Sequence, residues 1–508
     1  VKEGIIKYPY IVISTIVAGV CLMFSGIAYA YKKPFAWVSP IYFAIGILTL
    51  ALLCLIFLRI RDKAGKYEKK DVVIVLSLSV LFFGLILIAT HFYYFKTGWD
   101  ASYVIGAAEA LAKGEEFAGA AYFSIYPNNL LLVGIFSLVI RVNDLFGFFP
   151  YYYSLIVFQA FSLVASGVLF FFTTNYLSKK RSVAYLSWLI FMIVGGLSPW
   201  VIIPYSDTVG LFFTSIVLYL YAKKKLPFVA GLLLMLGYYV KPGVMILGIA
   251  IAIVSLPKVI KSIRKKDKKV ILGVALAVLG MVSGIVVYKL TERVSGYEID
   301  KERTFGVTHY LMMGLNEEYN GVINIEDQDF SMNIDTAKER KSENLRVAGE
   351  RLKGMGVLGL FQHFGRKILT TYNDGTFAWY VEGEFMIEPI WTGHPEVEKI
   401  FRDFYYPDGK AYNAFQNISQ CLWMGVLAFS IAGGFFSKDE RELAIMLTLI
   451  GVFAYEMLFE PRARHMLVEL PLFIYMAVRG VEGCMRWVAS KAKSFMKSWL
   501  PLKRSESC

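Results

Sequence analysis

The 508-residue chain is 56% hydrophobic and 18% charged, and its apolar residues fall in blocks long enough to cross a bilayer as helices. A net charge of +13 would suggest nucleic acid in a soluble protein, but here the basic residues sit in short loops at the ends of apolar blocks, which is a signature of membrane orientation. Cys21, Cys54, Cys421, Cys484 and Cys508 show no ligand spacing and avoid the long polar segment 291–415, so neither a disulfide framework nor a structural zinc site is expected.

The fold expected is an all-α polytopic membrane protein of about 11–13 transmembrane helices with an α-rich mixed extracytoplasmic domain. From the N-terminus, candidate spans run over 9–30, read as a retained helix, and 36–58, followed by the basic loop "RIRDKAGKYEKK" (59–70). Residues 1–70 form an N-terminal hairpin and cytoplasmic loop, and a transmembrane core over 71–290 follows. Its first span, 71–95, leads into an outer loop, 96–126, in which "GWDAS" presents the lone carboxylate Asp100. Val104, Ile105, Ala108, Leu111 and Ala112 then recur at helical spacing up to Gly114, a pattern for an amphipathic interfacial helix that Asp100 could cap. The apolar stretch 128–140 is too short to span, and a full crossing there would invert every later basic loop, so it is expected to be re-entrant or offset by a nearby break.

Further spans are expected at 151–176, 183–203, 205–222, 226–240 with 242–258 meeting at Lys241-Pro242, and 270–290. The basic clusters at 178–181, 222–226 and 261–269 then alternate to the cytoplasmic side. Segment 291–415 carries 21 Asp/Glu against 14 Lys/Arg and reads as the extracytoplasmic domain. Within it, Glu326 and Asp327 could line an acceptor site or bind a cation, whereas His309 and His394 lack a partner at ligand spacing and read as structural. Spans at 416–436, 441–459 and 465–483 make up a C-terminal membrane region, 416–485, before a basic tail, 486–508.

Several ionisable groups fall at predicted outer ends of spans, where their burial is costly: Asp207, Lys241, and the turn bearing Arg462, Arg464 and His465. A carboxylate can act as general base, while Lys and Arg at the same depth can hold a phosphate and stabilise the charge that appears as it leaves. Each also has a purely structural alternative, as a helix cap, a snorkelling lysine or a headgroup contact.

With "YPNNLLL" (126–132, including Tyr126, Asn128 and Asn129), "PYSDTVGLFF" (204–213), "YYVKPGVMI" (238–246) and "EPRARHMLVELPLFIYMA" (460–477) in this order, the chain resembles polytopic glycosyltransferases of the GT-C superfamily. The branch is that of the protein O-mannosyltransferases and the lipid A aminoarabinose transferase, glycosyltransferase family 39-like, and the resemblance covers residues 71–258 and 441–480. It implies a GT-C-like fold and an inverting transfer of sugar from a polyprenyl-phosphate carrier to an acceptor on a glycan, lipid or protein, at the outer face of a bacterial plasma membrane. Asp100 would then be the catalytic base, Lys241, Arg462 and Arg464 would contact the carrier phosphate, and Asp207 would edge the site, with Tyr126, Asn128, Asn129, His465, Glu326 and Asp327 as further substrate-site candidates. No cofactor is required; a divalent cation is less supported, because relatives often show paired acids where this chain has one. Membrane lipid is an implied partner and nucleic acid is not. The rival reading is a transporter or flippase of a lipid-linked glycan, although such proteins often show internal repeats and none is visible.

Overall fold

In the computed structural model, residues 3–23, 44–46, 48–50, 52, 67–379, 386–437 and 439–499 are described. The expected span 36–58 lies largely outside them, as do most of the loop 59–70, Cys54, and the end of the tail with Cys508. Among the described residues, seven segments are long and apolar enough to cross a membrane: 3–21, 69–93, 127–146, 151–178, 244–264, 268–295 and 412–436. The count falls short of 11–13 because other bundle helices are short or carry charge. Arg181–Gly196 and Pro227–Val240 are short, and Glu440–Leu458 opens on Glu440, Arg441 and Glu442.

In chain order the bundle consists of α1 (Glu3–Met23), α2 (Lys69–Tyr93), the surface helix α3 (Trp99–Lys113), a buried turn of helix α4 (Tyr122–Ile125), then α5 (Leu130–Phe146), α6 (Tyr151–Ser178) and α7 (Arg181–Gly196). It continues through α8 (Ser206–Lys223), α9 (Pro227–Val240), α10 (Val244–Arg264) and α11 (Lys268–Ser295). The polar segment holds α12 (Val307–Gly314), α13 (Ile325–Met332), α14 (Ala337–Tyr372) and α15 (Pro395–Tyr405), and α16 (Tyr412–Phe436), α17 (Glu440–Leu458) and α18 (Leu470–Trp499) close the chain. The short strand β1 (Phe95–Thr97) pairs antiparallel with β2 (Met386–Pro389), Lys96 opposite Glu388, and so ties the approach to Asp100 to the polar segment.

Cross-links between neighbours sort the helix ends into two sets. At one end Arg181 bridges to Glu68 at 2.5 Å, Lys180 to Glu482 at 2.9 Å, and Arg441 donates to the Ala222 carbonyl at 2.8 Å. Helices starting here are opened by acids: Asp267 accepts from Lys269 N, and Asp439 with Glu442 forms a capping box. The basic clusters 178–181 and 222–226 and the start of α18's polar end therefore share one end, as the alternating topology requires. At the other end Tyr153 donates to the Leu87 carbonyl, Gln159 to the carbonyls of Ile203 and Tyr205, and Lys241 meets Asp207.

Helix α5 settles the parity problem in an unexpected way. With its leading turn it has spanning length, 20 residues from Pro127 to Phe146. Both of its ends nevertheless contact the same end of the bundle: Tyr288 near the close of α11 donates to the Pro127 carbonyl, and Asn143 holds the backbone of Phe149 at the entry to α6. It therefore neither crosses nor dips back, but lies across that end, packed on α3.

Segment 291–415 is not a separate body throughout. Helix α11 runs into it as far as Ser295, and α14 is broken at Gly356, whose φ of 58° and ψ of −172° suit glycine. Beyond the break α14 enters the bundle. Trp423, well inside α16, donates to the Tyr372 carbonyl, Gln420 accepts from Gly375 N, and the turn Asn373–Trp379 is buried. Ile368, Tyr372, Phe377 and Trp379 belong to the main hydrophobic core, while the outer part has a small core around Met312, Leu315 and Ala348. His363, Arg366, Lys367 and Asp374 interrupt the hydropathy of this inserted stretch, which is why it reads as polar in sequence.

Candidate functional site

The end of the bundle opposite the basic loops collects the groups that sequence singled out. Asp100 stands in the first turn of α3, but Gly98 occupies the N-cap, so the capping reading is not what holds it. Its carboxylate is hydrogen-bonded to Tyr122 and faces Arg464, with Glu460 and Arg462 within electrostatic reach. Burial pushes its pKa up, and Arg464 and the Tyr122 bond offset only part of that shift. The preceding residue, Trp99, has φ 47°, a left-handed conformation unusual for a bulky side chain, and its ring is covered by the Arg464 guanidinium at 4.5 Å and by Tyr205 at 5.0 Å. Trp200 and Tyr205 lie 5.8 Å from the same guanidinium.

Asn129 donates to the Tyr122 hydroxyl at 2.7 Å and to Tyr205 at 3.4 Å, so it fixes the two phenols flanking Asp100. Asn128 donates to Asn129, and Tyr126 packs against Tyr122 and Phe305 with its hydroxyl 3.5 Å from Gln328. Across this cluster, Asp207 in the first turn of α8 takes Lys241 Nζ at 2.5 Å, and both side chains are largely buried. Gly210 makes the contact possible, since a Cβ there would come 3.0 Å from the Lys241 Cβ.

The turn between α17 and α18 is built around a buried carboxylate. Glu456 Oε2 accepts from the Arg462 backbone N–H at 3.0 Å, and Oε1 faces His465 Nδ1 at 2.9 Å. Arg462 pairs with Glu460 at 2.5 Å. Burial lowers the His465 pKa well below its ordinary value, and Lys241, Arg464 and Arg462 lower it further. Both effects favour the neutral ring, whose Nδ1 shares a hydrogen bond with Glu456 Oε1. Beneath the turn, Lys367 from the inserted half of α14 donates to the carbonyls of Gly314, Met457 and Phe459 at 2.7–2.8 Å. One ammonium thus caps the C-terminal ends of α12 and α17, where the helix dipole favours positive charge.

A small cleft of about 40 Å³ opens between the start of α10 and α17, lined by Lys241, Pro242, Gly243 and Ile246 on one side and Val452, Tyr455 and Glu456 on the other, under His465, Val468 and Glu469. The structure thus brings together Asp100, Asp207, Lys241, Arg462, Arg464, His465, Tyr126, Asn128 and Asn129. Glu326 and Asp327 do not join them as expected. Glu326 is exposed and accepts from Tyr319, and Asp327 is consumed by Arg351 at 2.6 Å together with Asn316 and Asn324. Among the described residues no three His, Cys, Asp or Glu side chains gather to hold a metal, so the structure names no ligands for a cation. Sequence reasoning passed over Trp99, Tyr122, Tyr205, Glu456 and Lys367. Glu456 stood within an apolar span, where an ionisable group is itself a signal.

This arrangement is that of a polytopic α-helical integral membrane protein with a polar cluster at one end of its bundle. Residues 11–485 match a family described as conserved hypothetical integral membrane protein, and the chain belongs to it. No curated protein and no solved structure matches the chain.

Proposed function

We infer that the protein is an inverting, GT-C-like glycosyltransferase that takes a sugar from a polyprenyl-phosphate carrier. The observation carrying this reading is the convergence of Asp100 with Arg464 and the Asp207–Lys241 pair beside a lateral cleft, from helices far apart in sequence. A half-buried carboxylate of raised pKa suits a general base that takes the proton of an acceptor hydroxyl as it attacks the anomeric carbon. Arg464 and Lys241 stand where they can stabilise the carrier phosphate as the glycosidic C–O bond breaks, and the Glu456-anchored turn holds Arg462 and Arg464 in place. By the positive-inside rule the site faces outward from a plasma membrane, and the acceptor belongs to an envelope glycan, lipid or protein.

The test is transfer from polyprenyl-phosphate sugars to an envelope extract by the purified protein. Asp100→Asn is expected to lose about 10²–10⁴-fold in rate, the range for a removed general base, while the protein remains folded. Equal rates in wild type and variant would sink the assignment of Asp100, and no transfer from any donor would favour a transporter.

A further inference from the structure

The cleft under His465 is a second recognition site with its own chemistry. The charge of Lys241 is already balanced, because its Nζ is paired with Asp207 at 2.5 Å. Glu456 is likewise committed, to His465 Nδ1 through one oxygen and to the Arg462 backbone N–H through the other. Glu469 is different: only 3% exposed and lining the cleft, it has its Oε2 buried without a hydrogen-bond partner.

A buried carboxyl oxygen left without a partner calls for a hydrogen-bond donor, and a positively charged donor would hold that carboxyl in its ionised form. One wall is the start of α10, an apolar helix of spanning length that exposes Ile249 and Ile253, so a ligand can reach the cleft from the lipid phase. We propose that this cleft binds the primary ammonium of a lipid headgroup, its N–H groups donating to Glu469. A phosphate on the same headgroup would then lie toward Lys241. The site requires no transfer reaction, so it stands or falls apart from the glycosyltransferase reading.

The test uses the full-length protein in phosphatidylcholine nanodiscs, with retention of added lipid read by native mass spectrometry. Phosphatidylethanolamine, its N-monomethyl form, phosphatidylcholine and phosphatidylglycerol are compared at equal acyl chains. The series removes N–H donors while keeping the positive charge, and the glycerol headgroup supplies hydroxyl donors without it. Retention is expected to fall from ethanolamine through monomethyl to choline by roughly tenfold or more, the worth of a charge-assisted hydrogen bond. Glu469→Gln, which keeps the shape, is expected to remove most of that discrimination. Equal retention of ethanolamine and choline lipids by wild type overturns the proposal without any variant. So does retention of phosphatidylglycerol equal to that of phosphatidylethanolamine, or undiminished selectivity in folded Glu469→Gln.

Discussion

At the scale of single residues, the same burial that would make Asp100 a good base makes it a burden on the fold. Its folded-state pKa lies above the ordinary aspartate value, so the folded protein holds the proton more tightly than the unfolded chain does. Stability contributed by this group is therefore lost as pH rises through that raised pKa and regained as pH falls. Asp100→Asn is expected to raise the unfolding temperature in detergent near neutral pH, with the gap to wild type closing on acidification. A variant less stable at every pH would show that Arg464 outweighs desolvation. Lys367 differs in being a buried donor whose removal takes a hydrogen bond from three helix-end carbonyls, of which that of Gly314 keeps His363 Nε2 at 2.9 Å. Lys367→Met keeps the length and loses the donors, at an expected cost of about 3 kcal/mol or more, measured by chemical unfolding. Amide exchange should rise first in the turn 459–468, which that lysine underpins.

At the scale of elements, what could be read from sequence followed from how a signal is spread along the chain. The surface helix α3, its Gly114 cap at φ 74° and the grouping of basic loops follow from local pattern, and the structure has them where expected. The ion pair Asp207–Lys241 joins two helix ends 34 residues apart, and sequence placed both groups at one depth without pairing them. The inserted half of α14 was hidden because a helix that dips into a protein interior can carry His363 and Lys367 on carbonyl partners, whereas one facing lipid cannot. Packing between α9 and α11 was equally hidden. A Cβ on Gly280 would come 2.0 Å from the Phe228 carbonyl oxygen, and one on Gly231 equally close to that of Ala277. Small residues let these backbones touch. Gly280→Ala gains up to about 1 kcal/mol of helix propensity but must push a backbone aside, which costs about 1–3 kcal/mol, so net destabilisation is expected. Gly273→Ala, which meets nothing within 4 Å, should show the propensity gain alone. Equal effects of the two substitutions on the unfolding midpoint would refute the close packing.

At the scale of the whole molecule, the two ends of the bundle have different jobs, and orientation decides what the site can meet. The end with Arg181–Glu68, Lys180–Glu482 and Arg441–Asp439 is a surface of ion pairs. The opposite end holds the Asp100 cluster and the cleft. Because α5 lies across that end instead of crossing, the loops after it keep their sides, and the basic loop 261–269 must lie on the face opposite Glu115 and Glu326. In a cysteine-free background, Glu115→Cys and Glu326→Cys should react with an impermeant maleimide added to intact cells, and Lys265→Cys only after the cells are opened; all three positions are exposed. Reaction of Lys265→Cys alone in intact cells would turn the molecule over. It would put the site on the cytoplasmic face, where a soluble nucleotide sugar becomes the natural donor and the case for a polyprenyl-phosphate carrier fails. Labelling of Glu115→Cys from outside but Glu326→Cys only after opening would mean that a crossing lies between them, and α5, the helix with the length to make it, would have to span after all.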